Sequence, residues 1–207
     1  MSRVPRKKLI LEALARELEL NPGGRITTAS LGRAAGVSEA ALYRHFASKA
    51  KMFEGLIDFA EESIFVRINQ IMQEEQDAQL RCGQLLYLLL AFSDRNPGIT
   101  RVLLGDALVG ETERLMNRVG QFFSRLETQL RQILREGEWR GKGTGETQVS
   151  AVANLLLAVV EGRMHQYLRS RFKTSPLEQW EAQWVLLQNT LFVSQLQTER
   201  QPPEILA

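Results

Sequence analysis

Cysteine and histidine are scarce in this sequence, which contains one cysteine, Cys82, and two histidines, His45 and His165. A single cysteine excludes an intramolecular disulfide, and the lack of disulfides is typical of cytoplasmic proteins. The three residues are far apart along the chain, so no local pattern predicts a metal site or a Cys–His catalytic pair. We therefore expect no cofactor and no enzymatic activity.

Long apolar runs are also missing. A membrane-spanning helix needs about 18 or more apolar residues, and the longest apolar run here, Leu85–Phe92, is far shorter. It predicts a helix that is buried on most sides. Near the N-terminus, Leu9–Leu20 is interrupted by four charged residues, which favours an amphipathic helix over a signal peptide. These features predict a soluble, cytoplasmic protein.

The formal net charge is only +2, but the charges are unevenly distributed. The first fifty residues carry nine basic and four acidic side chains, a net charge of +5, which leaves −3 for the remainder. A basic module on a near-neutral body is typical of a nucleic-acid-binding protein. The run RVPRKK, residues 3–8, could add a phosphate-binding arm.

The segment Ile26–Phe53 predicts two short helices around a tight turn. Thr27 can cap the first helix, Gly36 permits the turn, and Ser38 can cap the second helix. This pattern predicts a helix-turn-helix whose second helix enters the major groove. A helix pair that only packs against the core is the alternative. The residues expected to face DNA are Thr27, Thr28, Ser38, Glu39, Ala40, Tyr43, Arg44, His45 and Lys49.

Within that set, Tyr43, His45 and Lys49 are expected to contact the phosphate backbone. Ser48 can cap a further helix whose first turn carries Lys49, and a helix start beside an ammonium group suits a phosphate. Ser38, Glu39 and Ala40, at the start of the second helix, are expected to read bases instead.

These motifs resemble those of the TetR family of dimeric bacterial DNA-binding proteins. The matching positions are Thr27, Ala35–Ser38, Leu42–Phe46 and Ser48–Lys49. Gly32 departs from the small helix former usual in that family, at a cost of about 1 kcal/mol unless packing requires glycine. The resemblance implies an all-α fold of about nine helices, in which a three-helix DNA-binding domain precedes a helical dimerisation body.

Apolar residues in the body recur at spacings of three and four, which predicts a succession of helices. Asn96 is expected to cap one helix that has Pro97 at its first position, and Ser175–Glu178 has the sequence of a capping box. The predicted body helices are Ser48–Gln76, Gln79–Asp94, Asn96–Leu108, Glu111–Trp139, Val149–Leu168 and Ser175–Gln195.

Three segments follow from these patterns: a DNA-binding domain at residues 1–50, a dimerisation and partner-binding domain at 51–197, and a loose tail at 198–207. The glycine-rich stretch RGKGTGE, residues 140–146, predicts a loop inside the body.

The last two helices of the body have a surplus of apolar residues. In proteins that this chain resembles, the corresponding helices pair with those of a second subunit. The alternative for any single residue is burial in its own subunit's core. The residues expected at the dimer interface are Leu155, Leu156, Val159, Trp184, Leu187, Leu191 and Phe192.

Beyond the DNA motif, the body resembles a branch of the TetR family that acts in nucleoid occlusion. The resemblance is carried by RINQIMQEE, LLLAFSDRNPGITRVLLGDAL and RLETQLRQILRE. It implies binding to dispersed palindromic sites, with the number of dimers per site left open, and engagement of the division protein FtsZ while on DNA. It places FtsZ contacts at Phe59, Arg67, Leu88, Ala91, Arg95 and Asn96, where Ala91 replaces the glycine usual in that branch.

From the residues alone, Phe59 and Leu88 would be expected in the core, and the arginines would be expected to be solvated. A ligand-responsive transcriptional repressor is the main alternative function, because most TetR-family proteins have that role. Such a repressor needs a pocket of several hundred cubic ångströms.

Overall fold

The computed structural model describes residues 5–24, 26–137 and 145–192. These residues form α-helices and one short 3₁₀ turn at Asp106–Leu108, with no strand, which confirms the predicted all-α fold. No helix among them is long and apolar enough to cross a membrane. The helices are α1 (Arg6–Leu20), α2 (Thr28–Ala35), α3 (Glu39–His45), α4 (Lys49–Glu74), α5 (Ala78–Arg95), α6 (Pro97–Leu103), α7 (Glu113–Glu136), α8 (Glu146–Arg169) and α9 (Trp180–Leu191).

The first three helices pack around a small apolar core. Ile10, Leu14 and Leu18 recur at helical spacing along α1 and are buried, as are Leu31 of α2 and Leu42 of α3. This core holds α2 and α3 against α1 and leaves the outer face of α3 exposed.

The body is built around the long helix α4, which begins beside α3 and contacts α5, α6 and α7. Its buried residues, among them Leu56, Ala60, Ile64 and Ile68, repeat every three or four positions and form a stripe along one side. Helix α8 packs on α5 and α7, and α9 packs on α5. The side chain of Trp184 fits over Gly83, where an added Cβ would lie 2.8 Å from the indole ring.

The most extensive contact between the N-terminal helices and the body joins α1 to α6. Gly98 allows this close approach, because a Cβ at this position would overlap the carbonyl oxygen of Ala15. The buried Arg101 guanidinium donates hydrogen bonds to the carbonyl oxygens of Leu18 (2.8 Å) and Asn21 (2.7 Å) and pairs with the Asp106 carboxylate at 2.5 Å. The last carbonyls of a helix have no hydrogen-bond donors within that helix. At the end of α1, Arg101 of the body supplies such donors.

The predicted helix at Asn96–Leu108 ends earlier than expected, at Leu103. Gly105 takes a positive φ of 77°, and the chain turns there into the 3₁₀ segment. The side-chain cap predicted for Asn96 is also wrong, since its amide donates back to the carbonyl of Phe92 at 2.8 Å.

The predicted capping box at Ser175–Glu178 is wrong, because the last helix begins only at Trp180. The Ser175 hydroxyl donates to the Asp94 carboxylate at 2.8 Å, and the Arg163 guanidinium binds the carbonyls of Pro176 and Glu178. These partners lie elsewhere in the body and hold the segment in turns. Three other predicted features lie wholly or partly outside the described residues: the start of the arm at 3–8, most of the loop at 140–146, and the tail at 198–207.

We expect Arg101→Met to destabilise the protein by roughly 2–4 kcal/mol, because it removes a buried charge that three acceptors share. The free energy of unfolding, measured by denaturant titration, tests this expectation. Arg114→Met is the matched control, since the Arg114 side chain is 69% exposed and its ion pair with Glu54 is long, at 3.4 Å. The control should change stability by less than about 0.5 kcal/mol. Equal effects of the two substitutions would contradict the role given to Arg101.

Candidate nucleic-acid interface and partner surface

Helices α2 and α3 are set by short-range interactions that the sequence predicts correctly. The Thr27 hydroxyl accepts from the Ser30 amide at 3.1 Å and the Ser38 hydroxyl accepts from the Ala41 amide at 3.2 Å, so both predicted caps are confirmed. Gly36 ends α2 in the left-handed region, at a φ of 63°. The resulting turn sends α3 outward from the module.

Gly32 is explained by the packing of this turn. A Cβ at Gly32 would lie 2.9 Å from the carbonyl oxygen of Val37 in the turn, and the Gly32 carbonyl itself accepts from the Val37 amide at 2.9 Å. Glycine therefore costs helix propensity but lets α2 lie close to the start of α3.

The outer face of α3 carries polar and aromatic groups that are free to meet a duplex. Ser38, Glu39, Ala40, Tyr43 and Arg44 are exposed, as is Thr27 at the start of α2, and Thr28 and His45 are partly exposed. The face therefore offers a carboxylate, a guanidinium and a phenol within two helical turns. These groups can read base edges or bind phosphates in a major groove.

Glu39 does not move freely on this face. The Thr28 hydroxyl donates to its carboxylate at 2.6 Å, which joins the first residue of α2 to the first residue of α3. A fixed carboxylate at the start of a recognition helix suits the amino group of a cytosine base. Thr28 thus orients the Glu39 carboxylate, a relation that the separation of eleven residues along the chain does not reveal.

Lys49 is the first residue of α4, as expected, but its side chain has partners that the sequence did not predict. Its ammonium pairs with the Glu111 carboxylate at 2.5 Å and donates to the Ile26 carbonyl at 3.2 Å, at the junction with the body. Its side chain is only 20% exposed. The Lys49 ammonium is therefore held by partners at the junction, and its expected contact with a phosphate stays a prediction.

A second surface lies on α4 and α5. Phe59 is 46% exposed although it sits at helical spacing among core residues, and its ring centroid lies 6.3 Å from that of Phe92. Arg67 and Arg95 are exposed, and Leu88, Ala91 and Asn96 are partly exposed. All six residues of the implied FtsZ contact set therefore reach the surface, either on α4 and α5, which pack against each other, or directly after α5.

Two further apolar residues on these helices, Val66 and Tyr87, are exposed and were not predicted to be there. Val66 follows Phe59 by seven residues and Tyr87 precedes Ala91 by four, so each continues one face of its helix. The apolar surface is therefore larger than the resemblance implied. Exposed apolar patches beside arginines are typical of protein-binding sites.

The residues expected at the dimer interface do not share one environment. Leu156 lies in the core of its own subunit and is fully buried, so its assignment to an interface is corrected. Leu155 is exposed. The other five are partly buried against the subunit's own core: Val159, Trp184, Leu187, Leu191 and Phe192.

Val185 and Leu186 of α9 are exposed, Leu186 to 70%, and neither was predicted. On α8, Ala151, Ala158 and Gly162 share the exposed face of Leu155, at spacings that keep them on one side of the helix. The recurrence of small and apolar residues at these spacings on α8 is visible in the sequence and could have indicated this face.

Two sequence profiles cover most of the chain. The profile of the bacterial regulatory proteins of the tetR family matches residues 10–56, and that of the SlmA-like, tetracyclin repressor-like C-terminal domain matches residues 76–192. The nucleoid occlusion factor SlmA of Shewanella woodyi is 58% identical over 193 residues, which are 93% of this chain and 98% of that protein. The SlmA protein of Shewanella sediminis shows the same identity and coverage.

The chain belongs to the SlmA family of TetR-type proteins. This confirms the resemblance drawn from the helix-turn-helix and body motifs. Among solved structures, the MbdR regulator from Azoarcus sp. CIB superposes with a TM-score of 0.75 at 17% identity, over 91% of this chain and all of that one. A TetR transcription regulator from Haloarcula marismortui gives 0.72 at 19% identity, over 91% and 98% of the chains. At these sequence identities, both comparisons show similarity of fold alone.

Cys82 in this SlmA-family chain is buried, and burial raises the pKa of its thiol to about 12. The thiol is therefore protonated at neutral pH and is not a nucleophile. Within the part of the chain that the structure describes, no group of three His, Cys, Asp or Glu side chains is placed to hold a metal ion.

We expect Glu39→Gln to change the base preferred at one position of the binding site, because an amide both donates and accepts where a carboxylate only accepts. A good contact of this kind contributes roughly 1–3 kcal/mol of discrimination. Thr28→Val should weaken the preference at the same position, since the carboxylate stays but is no longer held. Selection of duplexes from a random pool measures both effects.

Thr28→Ser is the control, because it keeps the hydroxyl and should preserve the wild-type preference. The positioning role of Thr28 would be refuted if Thr28→Val selected the wild-type sequence as strongly as the unaltered protein.

Proposed function

We propose that this protein is a nucleoid occlusion factor. It binds dispersed palindromic chromosomal sites through α3 and, while on DNA, engages FtsZ and so inhibits septum assembly over the nucleoid. The observation that carries the proposal is the joint presence of the exposed α3 face and the α4–α5 surface in a chain 58% identical to proteins of that name. On this proposal the protein is a cytoplasmic, nucleoid-associated regulator and catalyses no reaction.

The packing supports assigning DNA binding and partner binding to different parts of the chain. On this proposal, residues 1–50 act as the DNA-binding domain, and residues 51–197 provide the dimer and partner surfaces. Helix α4 begins at Lys49 beside the DNA-binding helices and carries Phe59 and Arg67 into the body. A partner bound at the α4–α5 surface would therefore lie close to the DNA.

The two surfaces are also joined through α6. Arg95 and Asn96 stand immediately before α6, and a groove of about 470 Å³ runs between them and Arg16, Glu12 and Glu19 of α1. A change in how α1 sits on the body would reach both sides of this groove. Any coupling between DNA and FtsZ must be reciprocal, because each ligand changes the affinity for the other by the same factor.

Chromatin immunoprecipitation tests the DNA part of the proposal. A nucleoid occlusion factor should occupy many sites scattered over the chromosome, whereas a repressor of a local operon should occupy one or two promoters. Occupancy confined to one or two promoters would reject nucleoid occlusion.

The alternative of a ligand-responsive repressor is favoured by one observation. A cavity of about 480 Å³ lies at the junction of the DNA-binding helices and the body, lined in part by Phe53, Val109, Lys49 and Asp106. Its size and its mixture of apolar and charged groups fall within the range of small-molecule sites. A repressor would release its duplex when a small molecule filled such a site.

We expect Arg67→Asp and Arg95→Asp to weaken FtsZ binding at least tenfold, because charge reversal beside an apolar contact removes an attraction and adds a repulsion. Titration of FtsZ onto the protein, with and without its duplex, measures this change. DNA affinity should stay within about threefold of wild type, since both side chains lie outside α2 and α3.

Arg114→Asp is the control, because Arg114 is an exposed arginine of α7, outside α4 and α5, and its ion pair with Glu54 is long, at 3.4 Å. The FtsZ assignment fails if the wild-type protein on its own duplex binds no FtsZ, or if both variants bind like Arg114→Asp.

We expect Leu155→Glu and Leu186→Glu to give monomers that bind a palindromic duplex poorly. Dimerisation through α8 and α9 would bury these exposed side chains, and a carboxylate there would be buried without a partner. Sedimentation at micromolar concentration reports the oligomeric state. Val109→Glu is the control, since Val109 is 84% exposed in the loop before α7, and it should remain dimeric. A wild-type protein that sediments as a monomer would exclude this interface.

A further inference from the structure

Lys49 and Glu111 form an ion pair across the junction between the DNA-binding helices and the body. The ammonium lies 2.5 Å from the carboxylate, and the two side chains are only 20% and 14% exposed. The ammonium also donates to the Ile26 carbonyl and lies 5.8 Å from the ring centroid of Phe53. An ion pair this sheltered is screened less by salt than one at the open surface.

Lys49 is also the first residue of α4, directly after Ser48, whose hydroxyl caps that helix by accepting from the Lys51 amide at 3.2 Å. The start of α4 follows the outward face of α3 by only a short turn. A duplex on α3 would bring a phosphate near this helix start, where amide groups and an ammonium favour an anion. The Glu111 carboxylate and that phosphate would then compete for one ammonium group.

We propose that the Lys49–Glu111 ion pair is an autoinhibitory contact, which DNA binding breaks when a backbone phosphate replaces Glu111 as the partner of Lys49. This inference rests on the proposed DNA-binding function. The exchange transfers no proton and forms no covalent bond: one charge-assisted hydrogen bond is lost and another is made. The pair therefore lowers the affinity for every duplex alike, because phosphates carry no sequence information.

The surroundings of Glu111 suit such an exchange. Glu111 follows Gly110, which takes a positive φ of 80°, and it stands in the connection between the 3₁₀ turn and α7. The junction cavity of about 480 Å³ adjoins both Lys49 and Glu111. It gives the lysine side chain room to turn and lets water reach the carboxylate that the lysine leaves.

The test compares the affinities of variants for a duplex that the wild-type protein selects from a random pool, and for an unrelated duplex of equal length. Glu111→Gln should bind both duplexes about three- to tenfold more tightly than wild type, since the competing carboxylate is gone. The affinity of Glu111→Asp, which has a shorter side chain, should fall between those of wild type and Glu111→Gln. Glu113→Gln is the matched control, because it removes the same charge two residues away on α7, and it should have a smaller effect.

A double-mutant cycle identifies the partner. In a Lys49→Met background, the advantage of Glu111→Gln over Glu113→Gln should disappear, because no ammonium remains to be released. Lys49→Met alone should reduce the slope of log affinity against log salt by about one for each subunit.

Each outcome decides a different question. A wild-type protein that binds no duplex rejects the proposed function. A wild-type protein that binds, together with equal affinities for Glu111→Gln and Glu113→Gln, rejects the autoinhibitory contact alone. Thermal unfolding distinguishes a third outcome. If Glu111→Gln is less stable than wild type but binds DNA as wild type does, the ion pair is a purely structural contact. That result would overturn the proposal.

Discussion

The position of the DNA-binding helices on the body depends on one buried side chain, Arg101. Its guanidinium serves the last carbonyls of α1 and the Asp106 carboxylate, so one group satisfies acceptors from the N-terminal helices and from the body. A buried charge is costly unless every hydrogen bond is made, and its loss leaves several acceptors unpaired at once. These hydrogen bonds therefore strongly favour one position of the DNA-binding helices on the body over slightly shifted positions. Gly98 adds a steric condition, because only glycine lets α6 lie this close to Ala15.

Several features of the surface follow from that contact. Helix α6 is held to α1 at Gly98 and Arg101, and the residues just before it, Arg95 and Asn96, belong to the proposed partner surface. The other half of that surface is on α4, which begins beside α3. The partner surface is therefore attached to the DNA-binding helices at two points, one through each helix. A tilt of α1 relative to the body would have to change both attachments together, which is a structural basis for coupling between two ligands.

The features that could be predicted from the sequence are those set by local interactions. The caps at Thr27 and Ser38 and the turn at Gly36 involve neighbours in the chain, so their geometry can be predicted from residue type and spacing. Interactions with distant partners could not be predicted. Lys49 is held by Glu111, and the Ser175 segment is held by Asp94 and Arg163, and neither pairing leaves a periodic signal. Leu156 follows the exposed Leu155 in an apolar helix, and the sequence does not show which of the two faces the subunit's own core. The exposure of Phe59 ran against its helical spacing, and only the family resemblance predicted it.

Two cations link the DNA-binding helices to the body, and their surroundings suit them to different tasks. Arg101 is buried, has acceptors on several sides, and cannot leave without stranding them. Lys49 is partly exposed, lies beside a cavity, and has a single carboxylate partner. Its flexible side chain and compact charge make it the easier of the two to redirect toward another anion. One contact would then maintain the relation between the two parts of the chain while the other responds to DNA, so that binding can alter the junction without taking it apart.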